Sequence, residues 1–176
     1  MRGTIMNYPL TLPTILEHAG RLHGAQEIVS RMPDKSVHRY RFSEFYARAK
    51  KLADGLIKAG LKSGDRVGTL CWNHYAHLEA YFGVPCAGGV LHTLNLRLHA
   101  DELAYIVKHA GDRFLIVDND LLRILEGFKD KVDFERIFVV HYNGDSLPAG
   151  MENYEDLLDG ATSDFTYPEI DEFDAC

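Results

Sequence analysis

Two histidines, His74 and His77, are the first side chains in the sequence whose type and spacing could support chemistry. They stand three residues apart in a segment of helical character, where two imidazoles on one face could form half of a zinc site. Such a site needs a further ligand of suitable type, and the sequence offers no partner motif for this pair. We therefore predict no metal site and interpret both histidines as structural residues that are exposed or half-buried.

Asp118 and Asp120 follow a predicted buried strand, where a carboxylate could bind Mg²⁺ or accept a phosphoryl group, as in receiver domains. That chemistry also requires an acidic pair after the first strand and a lysine after the last one. The first parallel strand instead ends in Cys71-Trp72-Asn73, and the last ends in His141-Tyr142-Asn143. Both aspartates are therefore interpreted as helix-capping and turn residues.

Loops that bind nucleotide phosphates are not evident in the sequence, which has neither a Walker loop nor a G-x-G-x-x-G fingerprint. Gly83, Gly88 and Gly89 precede a predicted strand. We interpret them as residues that allow a helix to pack closely on the sheet and the chain to form a turn. The three cysteines include no C-x-x-C pair, which favours two buried thiols and a stray one at the end over a disulfide or a metal site. No serine has the strand–turn–helix context of a nucleophile, so no catalytic residue is predicted.

The elements that must position these side chains alternate between apolar strands and amphipathic helices from residue 67 onwards. The predicted strands are Val67–Cys71, Val90–Leu94, Phe114–Asp118 and Arg136–His141. Their runs are continuously apolar, which is typical of strands buried on both faces. We predict a doubly wound α/β fold, with a mainly parallel sheet and helices on both of its faces.

A small N-terminal part precedes this alternation. A helix over Thr14–His23, capped by its first residue, comes first. The segments Glu27–Met32 and Val37–Phe42 are predicted to form a hairpin, because a Pro-Asp turn joins them. A strong helix capped by Ser43 follows, with its apolar stripe inward and Arg48 facing solvent.

Charge is unevenly distributed along the chain. The formal net charge is −7, yet residues 152–176 hold nine acidic residues and no Lys or Arg, so residues 1–151 are nearly neutral. We divide the chain into an α/β subdomain, residues 1–160, and an acidic connector, residues 161–176. No basic stripe with interleaved aromatics favours a nucleic-acid partner. Without a membrane-length apolar run or a signal peptide, the chain is predicted to be cytoplasmic.

Several short motifs in a fixed order carry a family resemblance that covers about residues 8–176. They are Gly64-Asp65-Arg66-Val67, Trp72-Asn73, Gly88-Gly89-Val90, His92-Thr93-Leu94-Asn95, Arg97-Leu98 and Tyr154-Glu155-Asp156-Leu157-Leu158. In this order the chain resembles the N-terminal portion of the AMP-forming acyl-CoA synthetases, in the adenylate-forming ligase superfamily. It looks most like the medium- and long-chain fatty acid–CoA ligases, although Leu96 stands where the medium-chain branch commonly has proline.

The resemblance implies a truncated N-terminal subdomain of the adenylate-forming ligase fold. The full-length enzyme would use ATP and Mg²⁺ to convert a fatty acid into an acyl-AMP, and would then transfer the acyl group to CoA. The family's phosphate loop, T-S-G-T-T-G-x-P-K-G, is expected shortly after Cys176. The chain is thus expected to be an N-terminal fragment that is inactive and holds no cofactor by itself.

The resemblance also implies partners and a location. The remaining domains of the same polypeptide would pack against this fragment, and some family members form homodimers through this region. The cytoplasm is the expected location, with peripheral contact at a membrane as an alternative for an enzyme that uses fatty acids.

Substrate contacts follow from the resemblance in the same way. In the family, the strand and loop matching Val90–Leu98 lie near the acyl and CoA channel. Candidates for contact with substrate or CoA are therefore His92, Thr93, Asn95 and Arg97. The alternative is that they only close a strand and cap the next helix. Trp72 and Tyr81 are candidates for an acyl pocket, with an ordinary core role as the alternative.

A second hypothesis for function comes from the elements alone. A flavodoxin-like domain without catalytic groups would be a stand-alone binding or interaction module, with an exposed apolar face as its partner surface. The coding sequence after Cys176 discriminates between the two hypotheses, because only a ligase would continue into the phosphate loop.

Overall fold

The computed structural model describes residues 8–142 and 146–176, in which helices cover both faces of one parallel sheet. The strands are β1 (Glu27–Arg31), β2 (Val37–Arg41), β3 (Arg66–Leu70), β4 (Val90–Thr93), β5 (Asp112–Asp118), β6 (Arg136–Val140) and β7 (Glu152–Asn153). The α-helices are α1 (Leu12–Leu22), α2 (Phe42–Lys58), α3 (Tyr75–Cys86), α4 (Ala100–Ala110), α5 (Leu122–Glu126) and α6 (Tyr154–Asp159). None of the helices in these two ranges has the length and hydropathy that crossing a bilayer would require.

The main sheet has the strand order β4-β3-β5-β6-β7, and every neighbouring pair in it is parallel. A separate antiparallel pair, β1 with β2, forms the small hairpin. The predicted doubly wound α/β fold with an N-terminal hairpin is therefore confirmed. The two-residue strand β7 was not predicted, because it is too short for any period-2 pattern.

Alternate residues of β5 explain why its central run, Phe114 to Val117, is continuously apolar. Phe114 and Ile116 lie in a core with α1, α2, α3 and α6, whereas Leu115 and Val117 lie in a second core with α4 and α5. Successive side chains of a strand point to opposite faces, so a sheet with two helical layers needs apolar residues at every position.

The first two helices begin earlier than predicted. Helix α1 starts at Leu12, and the predicted N-cap, Thr14, lies inside its first turn. Pro13 fits that turn because its missing N–H has no intrahelical partner there. Helix α2 starts at Phe42, one residue before the predicted cap, and the Glu44 carboxylate accepts a 2.8 Å hydrogen bond from the Arg41 backbone N–H.

The acidic C-terminal segment is partly packed on the domain. Phe165 and Tyr167 contact the core formed by α1 and α2. The Tyr167 hydroxyl donates a 2.8 Å hydrogen bond to Glu17, which also accepts one from Tyr46. The aromatic half of the predicted connector is therefore attached to the subdomain, whereas its last six residues are exposed.

Gly83 allows helices α2 and α3 to pack closely. A Cβ built at Gly83 would lie 2.7 to 2.9 Å from side-chain atoms of Leu52. The predicted helix–sheet role of this glycine is therefore wrong, because its close neighbour is a helix. The predicted turn is confirmed at Gly88, where φ is +80°.

We expect Gly83→Ala to lower the free energy of unfolding by roughly 1–2 kcal/mol, since the added methyl overpacks the interface between α2 and α3. Urea denaturation measures the change. Gly160→Ala is the matched control, because its Cβ would make contacts of 3.5 Å or longer and should change stability by less than about 0.5 kcal/mol. Equal losses in both variants would contradict the packing argument.

Candidate functional site

The carboxyl edge of the parallel sheet is where an open α/β fold is expected to bind ligands. Strands β4 and β5 lie on opposite sides of β3, so the chain crosses over between them. A crevice forms at such a switch point, just outside the strand ends. The residues at or just after the ends of β3 and β5 meet at this point, among them Trp72, His74, Asp118 and Asp120.

Asp118 joins the ends of β3 and β5. Its fully buried carboxylate accepts a 2.7 Å hydrogen bond from the Trp72 backbone N–H and lies 2.9 Å from Nε2 of His74. It makes no side-chain cap bond to the 3₁₀ turn that follows. The predicted capping role is therefore wrong, because the carboxylate bonds sideways to the neighbouring strand end.

Asp120 extends this network to the surface. Its carboxylate accepts hydrogen bonds from the Trp72 indole N–H, at 3.0 Å, and from the Tyr142 hydroxyl. Burial and the Asp120 charge both raise the pKa of Tyr142, so the phenol keeps its proton and acts as a donor. Asp120 is thus an acceptor for two aromatic side chains.

His74 and His77 are both buried, so the prediction of exposed or half-buried positions is wrong. Nδ1 of His74 accepts from the Ala76 backbone N–H and caps α3, which leaves the proton on Nε2 for donation to Asp118. Nε2 of His77 lies 3.1 Å from Oγ1 of Thr69, and burial lowers the pKa of His77. Within residues 8–142 and 146–176, no three His, Cys, Asp or Glu side chains are grouped to hold a metal ion.

The side chain of His92 has a different environment from those of Thr93, Asn95 and Arg97, the other three polar candidates. Its Nδ1 lies 2.8 and 2.9 Å from the two carboxylate oxygens of Asp112, across β3. The pairing passes over Gly68, where a Cβ would lie 3.1 Å from the Asp112 carboxylate. Burial raises the pKa of Asp112, and His92 opposes this. Asp112 is a buried partner of the candidate His92 that sequence reasoning missed, since an aspartate at a strand start resembles a turn residue.

Thr93, Asn95 and Arg97 are exposed together at the carboxyl end of β4. The Asn95 side chain accepts a 3.0 Å hydrogen bond from the Arg97 backbone N–H, which fixes the turn. The Arg97 guanidinium has no ion pair among the described residues, so its charge faces solvent. These three residues stand at the edge where a ligand of an open sheet would arrive.

Trp72 and Tyr81 are 45% and 44% exposed, so the ordinary core role considered for them is wrong. Trp72 and Arg31 line a cleft of about 430 Å³ between β3 and the hairpin. Tyr81 and His77 line a second cleft of about 240 Å³ between α3 and the hairpin. Both aromatic side chains are therefore available to an apolar ligand.

The cysteines agree with the sequence prediction. Cys71 and Cys86 are buried free thiols and Cys176 is exposed. Burial raises the pKa of Cys71 well above its ordinary value and that of Cys86 to about 12. The two buried thiols therefore stay protonated and are poor nucleophiles at neutral pH.

A second charged cluster ties three helices together. Arg48 of α2 lies 2.7 Å from the carboxylates of Glu79 in α3 and Glu155 in α6. The Tyr154 hydroxyl donates a 2.8 Å hydrogen bond to the fully buried Glu79. The predicted outward orientation of Arg48 is therefore wrong, because its guanidinium compensates a buried carboxylate.

Comparisons with known proteins cover nearly all of the chain. A family model described as AMP-binding enzyme matches residues 16–172. A long-chain-fatty-acid–CoA ligase of Thermus thermophilus is 42% identical over 95% of this chain and 30% of its own length. A 3-methylmercaptopropionyl-CoA ligase of Ruegeria lacuscaerulensis is 39% identical over 98% of this chain and 33% of its own length. The chain thus spans about a third of these curated relatives.

A solved structure shares the fold. The anthranilate CoA ligase AuaEII, in complex with anthranoyl-AMP, superimposes with a TM-score of 0.84 over 100% of this chain and 33% of that one. The sequence identity is 20%, so this likeness concerns the arrangement of strands and helices.

Proposed function

The chain belongs to the AMP-binding enzyme family, and from this premise we propose that it is the N-terminal part of an AMP-forming fatty acid–CoA ligase. The whole enzyme would join ATP and a carboxylic acid into an acyl-AMP with release of pyrophosphate, and the CoA thiol would then displace AMP. The observation that best supports this proposal is the 39–42% sequence identity to two CoA ligases over at least 95% of this chain. The predicted boundary at residue 160 and the acidic connector belong to this proposal.

The described residues do not fit the phosphates of ATP or their Mg²⁺. Glycines with positive φ precede strands β3, β4 and β5, as Gly64, Gly88 and Gly111 do, so their turns lie at the amino edge of the sheet. The ligand crevice of an open α/β sheet lies at the opposite edge. We therefore assign the phosphate site to other parts of the enzyme and derive no step through ATP or Mg²⁺ here.

The role proposed for this chain is to supply walls for the acid and CoA. The exposed Arg97 guanidinium, beside Thr93 and Asn95, suits the phosphates of CoA, because a solvent-facing cation attracts them without a desolvated partner to displace. Trp72 and Tyr81 offer apolar surface to an acyl chain along the clefts beside the hairpin. His92 remains a candidate on the resemblance alone, since its described side-chain partner is the Asp112 carboxylate at the start of β5.

Partners and location complete the proposal. The remaining domains of the polypeptide would contact the carboxyl edge of the sheet, and a homodimer could bring two copies together. The enzyme would work in the cytoplasm with peripheral contact at a membrane, since long acyl chains partition strongly into bilayers.

Sequencing the gene beyond the Cys176 codon is the first test. A downstream loop of the form T-S-G-T-T-G-x-P-K-G is expected, and the complete product should then catalyse fatty-acid-dependent exchange of pyrophosphate into ATP. A stop codon directly after Cys176, or a complete product without acid-dependent exchange, would overturn the ligase proposal.

In the complete enzyme, we expect Arg97→Ala to raise KM for CoA about tenfold, because a hydrogen bond to a charged group contributes roughly 1.5–3 kcal/mol. The KM for the acid should stay unchanged. Arg123→Ala is the matched control, since Arg123 is an exposed cation in α5 on another part of the surface. Steady-state kinetics with CoA and acid varied separately make the comparison, and equal KM values in wild type and variant would exclude Arg97 from CoA binding.

A further inference from the structure

The outward face of the β1–β2 hairpin combines cations with exposed aliphatic side chains. Side chains alternate along both strands, so that Ser30 and Tyr40 are buried while the residues on either side of them are exposed. The apolar and basic residues of this outward face, named here the hairpin face, are Val29, Arg31, Val37, Arg39 and Arg41, with Lys35 at the turn. Val29 and Val37 are 52% and 54% exposed, although each is large enough to contribute to a core.

The charge of the hairpin is opposite to that of the chain. Residues 27–41 carry four Lys or Arg and two acidic side chains, whereas the chain has a formal net charge of −7. Both acidic groups are engaged locally, Glu27 with Arg39 at 2.6 Å and Asp34 with the backbone N–H and hydroxyl of Ser36. Within the described residues Arg31, Lys35 and Arg41 have no ion pair, so their three charges face outward. Two carboxylates lie nearby, that of Glu44 on the Arg41 backbone N–H and that of Asp120 in the cleft lined by Arg31.

Two exposed aromatic side chains flank the hairpin. Trp72 shares a cleft with Arg31, and Tyr81 shares another with Val29. Trp and Tyr favour the boundary between water and hydrocarbon, because each has a large apolar ring with a polar tip. A surface that combines aliphatic residues, aromatic residues and arginines is typical of proteins that bind at the membrane interface. The hydrocarbon stems of the arginines add apolar surface below their charged groups.

We propose that the hairpin face docks on the surface of an anionic lipid bilayer. The cations would attract acidic headgroups, while Val29 and Val37 would enter the boundary with the acyl chains. This inference deepens the proposed function and rests on it for the fatty acid, which would reach the Trp72 and Tyr81 clefts from the bilayer. Its test measures membrane binding without a ligase assay, so the two proposals fail separately.

Cosedimentation of the full chain with vesicles tests the proposal. We expect binding to vesicles of equimolar phosphatidylglycerol and phosphatidylcholine at low ionic strength, and none to phosphatidylcholine alone. The double variant Arg31→Gln/Arg41→Gln should partition about 30-fold more weakly, since each basic side chain near an anionic surface contributes about fivefold. Val29→Ser/Val37→Ser should also weaken binding, and this loss should persist at high salt, where charges are screened.

The matched control is Lys108→Gln/Arg123→Gln, which removes two exposed cations from α4 and α5 on the far side of the sheet. It changes the net charge by the same amount and should leave vesicle binding unaltered. Far-ultraviolet circular dichroism checks the fold of each variant, and the wild-type spectrum is expected because the substituted positions are exposed. Equal losses in the two charge variants, or no binding of the wild-type chain to anionic vesicles, would overturn the proposal. Binding to poly-glutamate without binding to vesicles would also overturn it, in favour of an acidic polypeptide partner.

Discussion

Replacing Arg48 with methionine is expected to lower the free energy of unfolding by about 3–5 kcal/mol at neutral pH. The guanidinium lies 2.7 Å from both the Glu79 and Glu155 carboxylates. Glu79 is fully buried, so the variant leaves its charge without a cation and with only neutral hydroxyl contacts, such as that of Tyr154, among the described residues. Urea denaturation followed by circular dichroism measures the difference between the two chains.

The deficit of the Arg48→Met chain should shrink as the pH falls. Burial raises the pKa of Glu79 above its ordinary value of 4.5, and removal of the neighbouring cation raises it further. Above the pKa of Glu79 in the unfolded chain and below its raised pKa in the folded variant, the folded variant binds more protons than the unfolded one. Its stability therefore falls as the pH rises through this range. A deficit that stays constant from neutral to mildly acidic pH would show that the buried carboxylate is not its cause.

Two further variants separate the buried charge from simple loss of packing. Glu155→Gln removes the more exposed carboxylate and should cost less than about 1 kcal/mol. The double variant Arg48→Met/Glu79→Met should be more stable than Arg48→Met alone, because no charge is left buried. If the double variant is no more stable than Arg48→Met alone, then lost packing around Arg48, rather than the buried charge, causes the deficit.

The sheet could be predicted from the sequence because strands that are buried on both faces have continuously apolar sequences. In strand β5 the four central residues, Phe114 to Val117, are all apolar and buried, so the run is recognisable although charged residues flank it. Helix boundaries were less accurate, since several residues near a helix start can serve as its cap, as at Thr11 and Thr14. The two-residue strand β7 has no periodic pattern and is defined by its parallel pairing with β6.

The candidate site was harder to predict because its contacts join residues that are distant in sequence. The partners of Arg48 lie 31 and 107 residues away in the sequence. Periodicity predicts the face of a helix on which a residue lies, but not which charged side chain of another helix packs against that face. Likewise, Asp118 could be placed at a strand end, whereas its bond to His74 depends on β3 and β5 being neighbours. The exposure of Trp72 was missed because the residue type alone favours burial.

Asp118→Asn is expected to lower the free energy of unfolding by about 3 kcal/mol and to change the fluorescence of Trp72, the only tryptophan in the chain. The Asp118 carboxylate accepts from two donors, the Trp72 backbone N–H and Nε2–H of His74. An asparagine offers one acceptor oxygen, so its NH₂ group must face one of these donors in a buried place. Losing charge-assisted bonds of roughly 1.5–3 kcal/mol each accounts for the size of the effect.

Asp120→Asn provides the matched comparison, because its contact with the Trp72 indole is exposed. This variant should alter the tryptophan emission while changing the free energy of unfolding by less than about 1 kcal/mol. If Asp118→Asn proves as mild as Asp120→Asn, then the end of β3 is held by the sheet itself rather than by the buried carboxylate. The expected contrast would instead establish Asp118 as the residue that fixes Trp72 at the mouth of the candidate acyl cleft.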